Sequence, residues 1–351
     1  AVVFDQTAAL VAAGVEAQFG FPRDSPLAAR LLPIGWARPL LSPAHDRLRF
    51  FRDVRELRRT IDRELFDVVH CHSSHDHYAA AAARRSGVPL VVRTIHNLEH
   101  ARGDLLSRRL FRRTDAFVFA NRAIAEAFGA DGPIQTPVVD AARFSPREKP
   151  LSRLRALGVP DGAFVVGTVG KLAAGRGHRE AIESAAALLS VILLHVGKGE
   201  LRPELESRAA ALGAASRNVW AGYAENDLPE LYRAMDVFLF PASGSEQGQR
   251  ALLEAMASGV PVVAVDVPGV RDLVTHEREG LVVSEPADLV PALERMRNDD
   301  VLRKQMGERG RARALLFGAA PFASAAREFY ARLLERKSST SRAWDAGETA
   351  G

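Results

Sequence analysis

Short apolar runs alternate along this chain with longer segments of helical period. The strands this pattern predicts are Val15 to Gly20, Phe66 to His72, Val88 to Ile95, Ala116 to Ala120, Phe164 to Gly170, Val191 to Val196, Asn218 to Trp220, Val237 to Phe240, Val260 to Val265 and Leu281 to Val283. Between them, apolar positions recur at three- and four-residue intervals, which predicts helices. Runs such as Val260 to Val265 are apolar almost throughout, as in strands covered on both faces and unlike a half-wet antiparallel sheet. The pattern therefore implies βαβ units and parallel sheets, an α/β class.

The alternation pauses at Pro137 to Pro160, where four prolines punctuate a polar stretch. A linker there predicts two doubly wound, Rossmann-like domains, residues 1–145 and 146–320, facing a cleft that the carboxyl ends of their strands line. Residues 321–337 read as an amphipathic helix packing back on the first domain, and 338–351 as a disordered tail. At the start, Ala1 opens directly onto a helical segment, Val2 to Ala13, ended by Gly14.

Composition narrows the class. With 47% hydrophobic and 26% charged residues the chain is ordinary globular material, and no apolar run reaches the roughly 18 residues of a membrane span. The single cysteine, Cys71, excludes an internal disulfide framework and makes a reducing compartment, the cytoplasm, the expectation. The net charge of +4 is uneven. Residues 1–150 hold 22 basic against 17 acidic side chains, with arginines gathered at 52, 55, 58, 59 and 63 and again at 102, 108, 109, 112 and 113. Beneath the first cluster Phe50, Val54, Leu57 and Ile61 form a helical stripe, so peripheral contact with anionic membrane is expected, and a nucleic-acid partner is not.

Two stretches carry candidate chemistry. VGTVGKLAAGRGH follows the first strand of the second domain, with Gly170 and other glycines permitting a tight turn and Lys171 and Arg176 placed five residues apart. Two cations on a glycine-rich strand-to-helix loop suit a diphosphate whose charge grows as it leaves. In SGSEQGQRALLEAMASGVPVVA, Glu246 precedes a helix and Glu254 lies inside it; carboxylates accept hydrogen bonds from vicinal hydroxyls, as sugar recognition requires. No dinucleotide fingerprint or Walker loop is present. The stretch His70 to His77 crowds four histidines, Cys71 and Asp76, but two lie on a strand and two in the following turn, so no metal site is assigned.

Together these stretches, with LLHVGKGELRPELESRAAALG, NVWAGYAENDLPELYRAMDVFLFP and PGVRDLVTHEREGLVV, resemble the retaining glycosyltransferases of family 4, of the GT-B fold. The resemblance covers about residues 66 to 335 and is strongest from Gly167 to Val283. It implies transfer of a sugar from a nucleotide-diphosphate-sugar donor to a glycan, lipid-linked or small-molecule acceptor with retention, without a metal or other cofactor, as in cell-envelope polysaccharide or lipopolysaccharide synthesis. In its terms Lys171 and Arg176 hold the donor diphosphate, Glu246 contacts the donor sugar, Glu254 the ribose, and His96 in VVRTIHN lines the donor sugar site. Gly170, Gln249, Arg250, Tyr223 and His72 are the further substrate-binding positions. The rivals are a GT-B sugar-nucleotide epimerase and a GT-B scaffold that binds without turnover.

Departures from the family pattern are equally visible. The basic pair reads Lys then Arg in place of Arg then Lys, and Gln247, Gly248 and Gln249 replace the usual Gly-aromatic-Gly. The family's opening strand and glycine-rich loop have no counterpart before Val2, which implies a gap or a rearranged sheet in the first domain.

Overall fold

A computed structural model describes residues 2–42, 49–85, 89–97, 109–224, 226–241 and 249–348, with side chains as far as Lys337. It divides into two compact units, residues 1–136 with 319–351, and residues 137–318. The division falls nine residues before the expected boundary, at Thr136/Pro137, the first proline of the interrupted stretch.

The second unit is a six-stranded parallel sheet of β6 (Phe164–Val169), β7 (Val191–Val196), β8 (Asn218–Gly222), β9 (Val237–Phe240), β10 (Val262–Val265) and β11 (Gly280–Val283). Its spatial order is β8-β7-β6-β9-β10-β11, the 3-2-1-4-5-6 order of a Rossmann sheet. Strands β7, β9 and β10 are buried at every position, as their unbroken apolar sequences require of strands covered on both faces. The covering helices are α6 (Leu151–Ala156), α7 (His178–Ala187), α8 (Arg202–Ala211), α9 (Leu228–Arg233), α10 (Gln249–Ala257), α11 (Val270–Leu273), α12 (Leu289–Asn298) and α13 (Asp300–Ala314). One continuous apolar core runs from Val139 to Ala314.

In the first unit, where a gap or a rearranged sheet is expected, the described residues form two parallel sheets. One pairs β1 (Phe19–Pro22) with β2 (Ala37–Leu41), and the other has the order β3-β4-β5, formed by Val68–Cys71, Leu90–Ile95 and Ala116–Phe119. The strand expected at Val15 to Gly20 begins four residues later, and β2 is additional. Helices α1 (Val2–Ala12), α2 (Ala28–Leu31), α3 (Phe50–Glu64), α4 (Ser74–Ala83) and α5 (Arg122–Phe128) precede α14 (Ala319–Glu348), which returns from the second unit. The tail expected to be disordered from Ser338 is helical as far as Glu348.

Helix α3 shows how the first unit is tied together. Leu57 and Ile61 are buried against Cys71, Ala79, Ala80, Ala83 and Val91, with Phe50 and Val54 partly buried beside them. The apolar stripe thus packs inward. Asp53 on the same face is fully buried, accepting from Ser42 N–H at 3.0 Å and Ser42 Oγ at 2.9 Å, with His75 Nε2 at 3.1 Å. Helix α4 opens on a reciprocal cap, Ser73 Oγ to the Asp76 N–H and the Asp76 carboxylate to the Ser73 N–H.

Candidate functional site

The second unit's connectivity reverses at β6, which has β7 on one side and β9 on the other. In an open parallel sheet this switch point leaves a crevice beyond the carboxyl ends of the two central strands. The glycine-rich segment follows β6 directly, and α10 is the next described helix after β9, so both chemical stretches belong to the two strands that border the crevice.

Backbone hydrogen bonds join the loops after β6, β7 and β8 into one edge. Gly170 N–H donates to Val196 O at 3.0 Å, Leu172 N–H to Lys198 O at 3.1 Å, Leu201 N–H to Leu172 O at 3.1 Å, and Gly197 N–H to Gly222 O at 2.8 Å. Leu172, fully buried between the two cations of the segment, anchors the loop in the core. Lys171 extends outward to Glu200 at 3.1 Å, both side chains about 60% exposed. Arg176 is half-buried, and that burial lowers its guanidinium pKa from the ordinary value. Lys198 stands 4.9 Å from the centroid of the Tyr223 ring, a ring that is 63% exposed at the end of β8.

On the other side, Glu254 is buried in α10 with both carboxylate oxygens engaged. Tyr232 Oη donates to Oε2 and Arg250 Nε to Oε1, each at 2.9 Å. Burial first, and the neighbouring Glu254 carboxylate next, push the Tyr232 phenol well above its ordinary range, so it stays a donor. Gln249, also buried, lies at the head of α10 with Nε2 3.4 Å from Pro268 O. Glu246 lies outside the described residues, as do Gln247 and Gly248.

His72 and His96 come together in the first unit at the carboxyl ends of β3 and β4. His72 Nδ1 is 3.2 Å from His96 Nε2, and His70 stacks on His72 with ring centroids 4.6 Å apart. His70 is itself held between Tyr330 Oη and Thr94 Oγ1, both at 2.7 Å. Burial pushes His70 down to about 3 and His72 well below the imidazole range, so both are neutral at pH 7. His75 and His77 turn away to Asp53 and Thr114. Among the described residues no three His, Cys, Asp or Glu converge as a metal site.

A cavity of about 220 Å³ lined by Lys149, Asp161, Phe164, Asp236 and Arg303 lies at the amino ends of β6 and β9, opposite the loop that carries Lys171. Lys149 there is already bonded to both oxygens of Asp236 at 2.7 Å, so the cavity offers little unspent charge.

Residues 1–138 match the family model described as Glycosyltransferase Family 4, and residues 163–299 the model described as Glycosyl transferases group 1. The chain belongs to the family 4 glycosyltransferases. It is 29% identical over 247 residues to the 2-deoxystreptamine glucosyltransferase of Streptomyces kanamyceticus, covering 62% of this chain and 64% of that one. It is 30% identical over 290 residues to the D-inositol 3-phosphate glycosyltransferase of Acidothermus cellulolyticus, covering 72% and 64%. The chain therefore spans under two thirds of the length of either relative. The crystal structure of Anabaena HepE in complex with UDP and glucose superposes with a TM-score of 0.76 at 19% identity, over 93% of this chain and 95% of that one, a likeness of fold: two Rossmann-like domains, GT-B.

Sequence reasoning singled out Lys171, Arg176, Glu254 and the Arg250 that bonds Glu254, but missed two other partners, Tyr232 and Glu200. Tyr232 and Glu200 come from other elements and carry no local signal. Lys198 does carry one, since Gly197 and Gly199 flank it after a strand just as glycines surround Lys171.

Proposed function

We propose that this chain transfers a sugar, with retention, from a nucleotide-diphosphate sugar bound by its second unit to a glycan, lipid-linked or small-molecule acceptor. The observation that supports this most directly is topological. The loop bearing Lys171 and Arg176 and the helix bearing Glu254 follow the two central strands at the switch point, where a parallel sheet binds its ligand. In this reading Lys171 and Arg176 stabilise charge on the departing diphosphate, and Glu254, held by Tyr232 and Arg250, accepts from the ribose hydroxyls. The exposed Lys171–Glu200 pair is screened by solvent and contributes little, so a diphosphate displaces Glu200 from Lys171 readily. The leaving phosphate oxygen takes the acceptor proton on the face it vacates, which retains configuration without a carboxylate acid–base pair. Glu246 is assigned to the donor sugar and His96, with His72 as its neighbour, to the sugar and acceptor.

A thermal-shift screen over UDP-, GDP- and ADP-sugars tests the reading. One of them at 100 times its dissociation constant is expected to stabilise by about 2.7 kcal/mol, and product analysis then separates transfer from epimerisation. No stabilisation by any donor, or binding with no turnover over a panel of acceptors, rejects the transferase.

Exposed Phe51 and Leu65, each 81% accessible, bracket the arginine face of α3 and favour a peripheral membrane contact for a lipid-linked acceptor. No described helix is long and apolar enough to cross a bilayer. The chain is expected to sediment with phosphatidylglycerol vesicles at low salt and to be released at high salt, with phosphatidylcholine vesicles inert. Equal behaviour with both lipids would reject the contact.

A further inference from the structure

The segment between β6 and α7 is closed by a side chain that the mechanism above does not use. His178, the first residue of α7, is 4% exposed, and its Nε2 lies 3.0 Å from the backbone oxygen of Lys171, seven residues back. A carbonyl only accepts, so Nε2 carries the hydrogen and Nδ1 of the neutral ring keeps a lone pair. That Nδ1 is buried with no hydrogen-bond partner.

A second imidazole behind it is fixed in the same tautomer. His195, fully buried on β7, has Nε2 at 2.9 Å from Asn218 Oδ1, and the Asn218 amide nitrogen donates to Ala214 O at 2.8 Å, which settles which end of the amide faces the ring. His195 Nδ1 is likewise buried and unpartnered. The rings of His178 and His195 are 6.2 Å apart, and Trp220 stacks on His195 at 4.0 Å. Burial lowers both imidazoles from the ordinary range, His195 to about 3, so neither adds a cation beside Lys171 and Arg176.

Filling a core with two imidazoles that each leave a nitrogen unpaired is costly compared with apolar side chains of the same size. What the arrangement gains is one directed side-chain bond, from a ring packed beside His195, to the Lys171 carbonyl, which also accepts from the Ala173 N–H at 2.9 Å. The bond spans a segment in which Gly175 and Gly177 both adopt positive φ, 74° and 73°, so a side chain at the head of α7 is tied back across a conformation that glycine permits.

We propose that His178 is a positioning residue of the donor loop: by holding the Lys171 carbonyl against the head of α7 it sets the separation of the Lys171 and Arg176 cations to suit a diphosphate, without touching the donor. The inference rests on the function proposed above, in which that loop receives the diphosphate.

The test measures dissociation constants by calorimetry for the pairs UDP/UMP, GDP/GMP and ADP/AMP, using the base that binds the native chain most tightly. A positioning role predicts that His178→Phe, apolar and of similar size, cuts the diphosphate-over-monophosphate preference about tenfold, the worth of one well-placed bond, while leaving monophosphate affinity unchanged. His178→Gln, whose amide N–H reaches the same carbonyl, should restore the preference to within about threefold. Thermal midpoints of both variants are recorded alongside. A Phe variant that keeps the preference, or a Gln variant that loses it as fully as Phe, overturns the proposal. Lys171→Ala is the control. If it abolishes the preference while His178→Phe does not, the positioning role alone fails; if no nucleoside diphosphate binds the native chain, the donor-site reading fails and takes this inference with it.

Discussion

Replacing Lys171 or Arg176 by alanine is expected to lower turnover by roughly ten- to a thousandfold, while Glu254→Gln acts mainly on the donor Michaelis constant. The difference follows from when each charge is needed. The diphosphate gains charge as the glycosidic bond breaks, so cations aimed at it are felt more in the transition state than in the ground state. Ribose hydroxyls change little along the same coordinate, so a residue that binds them contributes uniformly. The geometry around Glu254 sharpens the expectation. Its two oxygens accept from Tyr232 and Arg250, and an amide can satisfy one of these donors but must turn its own N–H toward the other. Glu254→Gln should therefore cost on the order of 1–3 kcal/mol in donor binding and a similar amount in stability. Glu200→Gln supplies the contrast, because its pairing with Lys171 is exposed and screened by solvent, and its loss should leave turnover nearly unchanged. Steady-state kinetics over these variants decide the matter; full activity in a Lys171→Ala, Arg176→Ala double variant would sink the site assignment.

How much of this was legible beforehand depended on burial. Strands β7 and β9 match the predicted Val191 to Val196 and Val237 to Phe240 at both ends, because a strand covered on both faces must be apolar without interruption. Strand β2, sequence ARPLL, was unreadable: Arg38 and Pro39 interrupt it, and four of its five residues are only partly buried in a two-stranded sheet. The site divides in the same way. Lys171, Arg176 and Glu254 stand in local motifs that are weak alone and that drew attention through the family resemblance of the stretches around them. Tyr232, 22 residues from Glu254, and Tyr330, 260 residues from His70, become partners only through packing. The crowded His70 to His77 stretch shows the converse hazard, since its side chains point to four different neighbours, Tyr330, His96, Asp53 and Thr114.

Gly197→Ala is expected to destabilise the chain by about 2–4 kcal/mol and to weaken nucleoside diphosphate binding together with stability. Gly197 has φ 148°, a conformation that side chains rarely adopt, and a methyl group there would lie 1.9 Å from the Gly170 carbonyl oxygen. Backbone on both sides is already committed, with Gly197 N–H bonded to Gly222 O and Gly170 N–H to Val196 O. The clash cannot be relieved by turning a flexible side chain; it must push the loop after β6 away from the loop after β7, and Lys171 is the next residue along. Gly213→Ala is the control for backbone conformation alone. Its φ is 64°, nothing lies within 4 Å of the added methyl, and its cost should stay near 1 kcal/mol with diphosphate affinity intact. Denaturant unfolding with an unchanged slope, read beside diphosphate titrations, separates the two. If Gly197→Ala proved no more harmful than Gly213→Ala, the close approach of the β6 and β7 loops would not govern the shape of the donor edge, and the placement of Lys171 would need another cause.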